Sequence, residues 1–390
     1  MSGWPVVELS TIASLPRIQL QARDIADGTM YLGLEHIEPG GRLLDPHLIT
    51  AGDVASAKFA FEPGDILYGK LRPYLAKIAI PDFSGVCSTD IIPVRVTDVM
   101  DARFLLHYLR QPRLVDWANS RSAGANLPRL SPKVLAALPV PVPPLVEQRR
   151  IATILDHADA LRVKRREALA RLDELTQSIF IDMFGTLSAN DMDWPTVEFE
   201  SVMLEGPQNG LYKPSSEYGS GARILRIDGF HNGVPIKPDS LKRVRVDGAE
   251  EKKYALHMND IIINRVNSIE HLGKSAIVPA LDQVVVFESN MMRITLNEDL
   301  ISPTFCLAQL QSSYLRGQIV LAAKDAVNQS SINQTDVKSF QLRLPPLERQ
   351  QDYASRVGRL GEISRLHRTA LGELDALFAS LQSRAFRGEL

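Results

Sequence analysis

Two long stretches of the chain place apolar residues three or four positions apart over many turns, which predicts amphipathic helices. One runs from Ile151 to Ile179 and the other from Tyr353 to Leu381. Such a heptad seam is typical of a coiled coil, and two such helices in one chain can bury each other. We therefore expect an intramolecular antiparallel pair. The main residues of this seam are Ile151, Ile154, Leu161, Arg165, Leu172 and Leu175 in the first helix, and Leu360, Ile363, His367, Leu374 and Leu377 in the second.

Each predicted helix has clear start and stop signals. Pro143-Pro144 precedes the first and Pro345-Pro346 the second. Proline suits a first helical turn because its φ is already helical and the missing amide proton would have no partner there. Gly185 and Gly388 follow the last apolar positions, where helices commonly end in a left-handed residue.

The seam contains one polar residue near the middle of each helix, Arg165 and His367. If the helices are antiparallel with their centres aligned, the two side chains lie close together. A polar residue at a core position can fix the register of a coiled coil at some cost in stability. A long polar side chain can equally extend from the seam into water. Both interpretations stay open at this point.

The segments before each helix have a different pattern. Short β-branched runs such as "DIIPVRV" and "DIIIN" alternate with turn residues, and each half adds one helical segment, "DARFLLHYLRQPRLVDWA" or "SPTFCLAQLQSSYLRGQIV". Mixed strands and helices in this order are typical of α+β domains.

The two halves are copies of one another at an offset of 202 residues, which places Pro143 on Pro345, Asn126 on Asn328 and Phe184 on Phe386. Self-similarity at a fixed offset predicts that the two halves of the chain have the same architecture. The predicted fold class is α+β, with two similar globular domains separated by a pair of long antiparallel coiled-coil helices in a pseudo-two-fold internal repeat. The predicted boundaries are 1–142 for the first domain, 143–185 for the first helix, 186–344 for the second domain and 345–390 for the second helix.

Polar loops occupy equivalent positions in the two domains. Their candidate DNA-contacting residues are Lys70, Arg72, Tyr74 and Lys77 in the first domain, and Arg265, Asn267 and Lys274 in the second. Arginine, lysine and asparagine can pair with base edges or bind phosphates, and loops on a rigid scaffold present them well. Surface loops of many proteins share this composition, so these residues alone do not establish DNA contact.

Charge and composition limit the function further. The chain has 390 residues, a net charge of −2 and only two cysteines, Cys87 and Cys306. Neither a disulfide framework nor a zinc site is indicated, and the eight histidines lack a metal-binding spacing. There is no signal peptide, membrane-spanning run or Walker loop, so we expect a cytoplasmic protein without catalytic activity. Because neither domain is basic overall, we expect weak DNA binding by this chain alone.

The duplicated motifs resemble the specificity (S) subunits of type I restriction-modification systems, and the resemblance covers nearly the whole chain. It rests on the repeated "GDILYGKLRPYLAK" and "NDIIINRVNS" loops, the "PPLVEQ" helix start and the terminal "AFRGEL". The resemblance implies that each globular half is a target recognition domain that reads one half of a split DNA site. It also implies DNA contact by Ala123 to Ser131 and by Ala326 to Gln334, with Asn126, Arg129, Asn328 and Gln329 as candidates.

Two departures from the first copy stand out. The second helix start reads "PPLERQQ", and "RVNS" replaces "LRPY" in the second loop. The first departure weakens the case for identical partner contacts at the two helix starts. The second departure fits two domains that read different bases, so we expect Arg72 and Arg265 to affect different halves of the site.

The resemblance also implies partners. Double-stranded DNA, two methyltransferase (modification) subunits and, as a further partner, restriction subunits are expected, with S-adenosylmethionine and ATP bound by those subunits and no cofactor in this chain. The alternative is a structural scaffold whose coiled coil spaces two protein-binding domains. Dependence of binding on a split DNA sequence distinguishes the two hypotheses.

Overall fold

The chain forms two α+β units, each of which contains one globular domain and part of both long helices. In the computed structural model, which describes residues 3–50, 53, 55–230, 236–326 and 329–390, unit 1 comprises Met1–Glu167 with His367–Leu390, and unit 2 comprises Ala168–Leu366. The predicted fold class, two similar α+β domains with a pair of long antiparallel helices, is confirmed.

Unit 1 begins with a domain of eleven short strands and four helices among its described residues. Its strands are β1 (Val6–Glu8), β2 (Ala13–Ser14), β3 (Gln19–Leu20), β4 (Met30–Leu32), β5 (His47–Leu48), β6 (Lys58–Phe61), β7 (Ile66–Gly69), β8 (Ile78–Ala79), β9 (Gly85–Cys87), β10 (Ile91–Val96) and β11 (Pro139–Pro141). Its helices are α1 (Leu9–Ile12), α2 (Ala102–Leu109), α3 (Pro112–Ser120) and α4 (Pro132–Ala136), followed by the long helix α5 (Leu145–Phe184), which continues into unit 2.

The domain of unit 2 has a similar order, with twelve strands among its described residues and a helix between the fourth and fifth of them. Its strands are β12 (Thr196–Glu198), β13 (Met203–Asn209), β14 (Tyr218–Leu225), β15 (Lys242–Val244), β16 (Ile261–Asn264), β17 (Val266–Asn267), β18 (Ser275–Ile277), β19 (Val285–Phe287), β20 (Met291–Leu296), β21 (Lys324–Ala326), β22 (Gln329–Ser331) and β23 (Gln341–Arg343). Its helices are α6 (Gly248–Tyr254), α7 (Pro303–Leu310), α8 (Ser313–Ala322) and α9 (Gln334–Lys338), followed by the long helix α10 (Leu347–Ala385), which continues into unit 1.

Two sheets correspond strand for strand between the units, a two-stranded and a four-stranded one, whereas the other strands form one five-stranded sheet in unit 1 and two three-stranded sheets in unit 2. A four-stranded sheet has the order β2-β10-β7-β8 in unit 1 and β13-β20-β16-β18 in unit 2. Strand β4 runs parallel to β9, and β14 runs parallel to β19. The central strands β7 and β16 are buried along their whole length. Strands covered on both faces read as continuous apolar runs, which explains the sequences "ILYG" and "IIIN".

A buried glutamine fixes the start of each long helix to its domain. The side-chain oxygen of Gln148 accepts from the Asp101 amide at 2.7 Å, and its nitrogen donates to the carbonyls of Val99 at 3.0 Å and Pro143 at 2.8 Å. Each polar atom of this fully buried side chain is therefore paired, as buried polar groups require.

Gln350 repeats this arrangement at the start of α10. It accepts from the Ser302 amide at 2.9 Å and donates to the carbonyls of Leu300 at 3.2 Å and Pro345 at 2.8 Å. The "PPLxEQ" and "PPLERQQ" sequences therefore share the glutamine that makes the anchor, and differ at the preceding position.

The far end of each long helix packs into the other domain's core. In unit 1, Phe386 lies 5.2 Å from Phe104 and 5.3 Å from Tyr108 between ring centroids. In unit 2, Phe184 lies 4.6 Å from Phe305 in the equivalent place. Each domain is therefore held by the start of one long helix and the end of the other.

Contacts between the helices show the antiparallel direction within each unit. In unit 1, Arg162 of α5 donates to Asp375 of α10 at 2.6 Å, and Arg150 donates to the Leu390 carbonyl at 2.9 Å. In unit 2, Phe184 of α5 lies 5.5 Å from Tyr353 of α10. Later residues of α5 thus meet earlier residues of α10, as the heptad seam predicts.

Two glycines weaken α10 without serving its packing. Gly358 and Gly361 lie inside the helix, and a Cβ at either position would meet nothing within 4 Å. Glycine in a helix interior is less favourable than alanine by about 1 kcal/mol. We expect Gly361→Ala to stabilise this part of α10 by about 1 kcal/mol, measured as slower amide hydrogen exchange around residue 361. Gly185→Ala is the contrasting variant, because φ is +68° there, and it should destabilise. Unchanged exchange in Gly361→Ala would contradict the prediction.

Candidate nucleic-acid interface

The two segments of the first domain that were predicted to contact DNA lie side by side. Main-chain hydrogen bonds join the Arg72 amide to the Pro128 carbonyl at 2.8 Å and the Leu130 amide to the Lys70 carbonyl at 2.9 Å. An isolated bridge also pairs Leu71 with Arg129. The loop after β7 and the segment before α4 therefore form one surface.

An aspartate that the sequence analysis did not single out lies within this surface. Asp90 accepts two hydrogen bonds from Arg129, at 3.0 and 3.3 Å, and its carboxylate lies 3.8 Å from the Lys70 ammonium. The hydrogen bond to Asp90 raises the pKa of Arg129 above its ordinary value. Asp90 thus partly neutralises both cations and holds Arg129 in a fixed position.

Arg72 differs from its neighbours because its guanidinium has no described partner. The side chain is exposed, and Tyr74 beside it is 49% exposed. Arg72 has φ 51° and ψ 60°, a left-handed conformation that costs a residue with a Cβ roughly 1 kcal/mol or more. Backbone strain of this kind is found preferentially at functional sites. Asn126, in the adjoining segment, is also exposed.

Two of the predicted DNA-contacting lysines donate hydrogen bonds to main-chain carbonyls. Lys77 donates to Leu34 at 2.7 Å, and Lys274 donates to Ile227 at 2.5 Å and to Phe230 at 2.8 Å. Burial lowers the pKa of Lys274, with the nearby Asp228 carboxylate opposing that shift. Each lysine therefore links its predicted DNA-contacting loop to a preceding turn of the same domain by hydrogen bonds. Their contact with DNA stays a prediction.

The second domain joins its two corresponding segments in the same way. Strand β17 pairs with β22, with Val266 opposite Ser331 and Asn267 opposite Ser330. The Arg265 carbonyl also accepts from the Ile332 amide at 3.0 Å. The same two segments are therefore joined in both domains.

The side chains of this second surface are different. Arg265 donates to the Ser289 carbonyl at 3.2 Å, while its buried Nε has no described partner. Asn267 is half-buried and accepts from the Ser268 amide at 2.8 Å, whereas Gln329 is exposed. Asn328 lies outside the described residues. Asn290 replaces Asp90 beside the loop, where its carbonyl accepts from the Arg265 amide at 2.8 Å. The sequence signal that could have identified this pair is the correspondence of "CSTD" at residues 87–90 with "FESN" at residues 287–290.

The two polar seam residues meet in unit 1. Arg165 and His367 lie 3.3 Å apart between Nη1 and Nδ1, which is the proximity expected for aligned antiparallel helices. Since a guanidinium can only donate, Nδ1 of His367 is the acceptor in this contact. Arg162 also lies 4.3 Å from the ring centroid of Phe378.

The apolar seam positions differ in burial. Ile151 is fully buried, and Ile154, Leu172, Leu360 and Leu374 are half-buried. Four others are about half exposed, and they form two repeat-related pairs. These are Leu161 (51%) with Ile363 (43%), and Leu175 (45%) with Leu377 (50%). The exposed pairs give both units an apolar surface on the paired helices.

The described part of the chain lacks two further kinds of feature, metal-ion clusters and membrane-spanning helices. No group of three or more histidine, cysteine or acidic residues is placed there to hold a metal ion. No described helix is long and apolar enough to cross a membrane. Cys306 and Cys87 are buried, and burial raises the pKa of each thiol, that of Cys87 to about 12.

Comparison with known proteins agrees with this architecture. A family model described as the type I restriction modification DNA specificity domain matches residues 1–172 and 219–376. The specificity subunit of the type I restriction enzyme EcoDI from Escherichia coli is 38% identical over 167 residues, which is 41% of this chain and 37% of that protein. The EcoKI specificity subunit, also from Escherichia coli, is 25% identical over 428 aligned residues, covering 100% of this chain and 89% of that protein.

A solved structure shares the fold. The type I restriction-modification S subunit from M. genitalium aligns with a TM-score of 0.61 at 13% identity, covering 98% of this chain and 96% of that chain. The match of the family model to most of the chain, in both halves of the repeat, shows the family directly. The chain therefore belongs to the type I restriction-modification DNA specificity family.

Proposed function

We propose that this chain is the DNA sequence-recognition subunit of a type I restriction-modification complex and that it reads a bipartite site. The observation that carries this proposal is that the same pair of joined segments, a polar loop and a later segment of the domain, occurs in both domains. Each domain joins the same two segments through main-chain hydrogen bonds, yet presents different side chains on them. One scaffold with Lys70, Arg72 and Arg129 in one copy and Arg265 and Asn267 in the other is suited to reading two different half-sites.

The slightly negative net charge of the chain is the reason to expect that partner subunits share in DNA binding. Its net charge is −2, and Asp90 offsets two of the cations on the first surface. Affinity for duplex DNA depends largely on phosphate neutralisation by lysine and arginine. We infer that partner subunits supply much of this neutralisation, while this chain supplies base selection.

The paired helices offer the docking surfaces for those partners. Half-exposed apolar side chains recur at repeat-related positions, Leu161 with Ile363 and Leu175 with Leu377. Duplicated surfaces fit two copies of one partner. We propose that these are two methyltransferase subunits, with restriction subunits as further partners, and that catalysis, S-adenosylmethionine and ATP belong to those subunits in the cytoplasm.

The proposed function and the scaffold hypothesis make different predictions for DNA binding. Under the proposed function, binding depends on the DNA sequence. We expect the chain, mixed with the modification subunit of its own system, to retain a DNA duplex only when both half-sites are present at a fixed spacing. Sequencing of methylated adenines in the source genome supplies the candidate split motif. The measurement is a competition mobility shift with duplexes in which either half-site is scrambled or the spacer is changed by one base pair. Equal retention of all these duplexes would favour the scaffold.

A further inference from the structure

A turn in unit 2 supports the start of the predicted DNA-contacting loop. The turn, Glu288–Asn290, joins β19 to β20. The Asn290 carbonyl accepts from the Arg265 amide at 2.8 Å, and the Ser289 carbonyl accepts from the Arg265 guanidinium at 3.2 Å. The first residue of the loop is therefore bound to the turn through both its main chain and its side chain.

A third segment of the chain reaches the same turn. Leu211, two residues beyond the end of β13, pairs with Glu288 in a parallel bridge. Its amide donates to the Phe287 carbonyl at 2.8 Å, and its carbonyl accepts from the Ser289 amide at 2.9 Å. Ser289 is thus bonded to Leu211 through its amide and to Arg265 through its carbonyl. The segment and the loop meet at this one residue.

Glycine at position 210 allows this close approach. A Cβ at Gly210 would lie 2.3 Å from the Glu288 carbonyl oxygen and 2.4 Å from that of Phe287. Any other residue would therefore displace the segment from the turn. The Gly210 amide also donates to the Met291 carbonyl at 3.1 Å. The contact between the segment and the turn thus depends on the residue type at this position.

The first domain directs the corresponding stretch of chain elsewhere. Strand β2 has two residues paired with β10, whereas β13 has seven residues and extends further along β20. After β2, the Ile18 carbonyl accepts from the Ala60 amide at 2.9 Å, and Gln19 pairs with Phe59 of β6. Among the described residues of unit 1, no main-chain hydrogen bond joins this stretch to the equivalent turn, Ser88–Asp90. The third segment is therefore a property of unit 2.

Tyr212 is the side chain that this segment presents to solvent. It is 78% exposed, while Leu211 before it is 5% exposed. Within the described structure, Tyr212 makes no hydrogen bond and no ring contact. A tyrosine hydroxyl is among the groups that donate to DNA phosphates. Ser215 and Ser216 follow with two more exposed hydroxyls.

The charged side chains beside the segment are largely paired. Lys213 donates to Glu250 at 2.7 Å. This hydrogen bond raises the pKa of Lys213, and the charges of Glu217 and Asp247 add to the effect. Arg265 has no ion pair among the described residues. Because carboxylates outnumber Lys213 here, a phosphate at this place has to be bound by neutral hydroxyls and Arg265.

We propose that Gly210–Tyr212 is a third DNA-contacting segment of the second domain and that the Tyr212 hydroxyl donates to a phosphate of the half-site read by that domain. The proposal rests on the proposed function, which brings DNA to the loop beside this segment. A phosphate contact fixes the position of the domain on the duplex and carries no base information. The second domain therefore binds a part of the DNA backbone for which the first domain has no equivalent segment.

A thermodynamic cycle between one hydroxyl and one phosphate tests this contact. The full chain, assembled with the modification subunit of its system, is titrated with duplexes in which single phosphates are replaced by neutral methylphosphonates. We expect Tyr212→Phe to weaken binding of the all-phosphate duplex about tenfold with no change in base preference, because a hydrogen bond to a charged group is lost. With the methylphosphonate at the contacted position, Tyr212→Phe and the wild type should bind within about twofold of each other. That position should adjoin the half-site whose base preference Asn267→Ala relaxes.

Leu204→Ala is the matched control for Tyr212→Ala, since Leu204 is 68% exposed near the other end of β13. Tyr212→Ala should bind DNA no more tightly than Tyr212→Phe, whereas Leu204→Ala should bind like the wild type. Wild-type affinity of Tyr212→Phe, a changed base preference, or the same tenfold loss with every methylphosphonate duplex would overturn the proposal.

Two further outcomes separate this contact from its alternatives. Weaker assembly of Tyr212→Ala with the modification subunit in the absence of DNA would identify a protein contact and would also overturn the proposal. If the wild-type complex bound every DNA sequence equally while Tyr212 stayed coupled to one phosphate, the proposed function would be wrong and the DNA contact of the third segment would remain.

Discussion

Replacing Gln148 by alanine is expected to detach the first turns of α5 from the domain of unit 1. The side chain is fully buried and makes three hydrogen bonds to main-chain groups of Asp101, Val99 and Pro143. Removing it leaves three main-chain polar groups without these partners, one buried and two partly buried, and loss of a buried partner costs about 1–3 kcal/mol. We expect a loss of roughly 3–5 kcal/mol in the local stability of this joint.

Amide hydrogen exchange is the suitable measurement, because a chain of two units need not unfold in one step. Exchange should accelerate at the start of α5 and at the start of α2, whose first amides adjoin Asp101. Arg149→Ala is the matched control, since it removes an exposed neighbour on the same helical turn. Gln350→Ala should produce the same effect in unit 2. If Gln148→Ala exchanged no faster than Arg149→Ala, the anchoring role would be wrong.

The sequence predicted the long helices and the repeat because their signals are local or regular. A heptad pattern identifies a helix without knowledge of its partner. Proline pairs set the helix starts, and the structure begins α5 at Leu145 and α10 at Leu347, directly after them. The repeat then predicted that the polar loops of both domains occupy equivalent places. The family resemblance predicted that a second segment of each domain also faces DNA, but it did not predict that this segment pairs with the loop.

The individual contacts could not be predicted, because they depend on residues far apart in the chain. Lys77 was predicted to contact DNA, and nothing in the sequence indicated that it also donates to the Leu34 carbonyl, 43 residues earlier. Arg162 reaches Asp375 across 213 residues. A basic loop residue gives the same sequence signal whether its side chain binds a DNA phosphate or donates to a main-chain carbonyl of its own domain. The hydrogen bond to a main-chain carbonyl depends on how the preceding turn folds, and the local sequence pattern does not give this information.

The burial of the seam shows a related limit. The heptad pattern assigns Leu161 and Leu377 to positions between the helices, but about half of each side chain is exposed, 51% and 50%. The charged pair of Arg162 and Asp375 and the ring of Phe378 occupy the neighbouring contacts. A pattern of apolar spacing does not distinguish a helix partner within the chain from a second protein that covers the same face.

Arg72 is expected to determine base preference in one half of the bipartite site. Its guanidinium is exposed and unpaired among the described residues, while Lys70 and Arg129 beside it are engaged with Asp90. Arginine that pairs with a guanine edge contributes about 1–3 kcal/mol of discrimination, which corresponds to roughly ten- to hundredfold in relative affinity. Arg72→Gly is the informative change, because glycine accepts the left-handed backbone at this position without strain.

The expected result for Arg72→Gly is relaxed preference in one half-site, unchanged preference in the other, and thermal stability equal to or slightly above that of the wild type. Competition binding of the assembled complex to duplexes with single base changes measures both halves. Asn267→Ala, at the equivalent position of unit 2, should relax the opposite half. Arg265→Ala should act there too, although its contact with Ser289 adds a structural effect. Uniform weakening of all sequences by Arg72→Gly would identify a phosphate contact instead, since phosphates carry no base information.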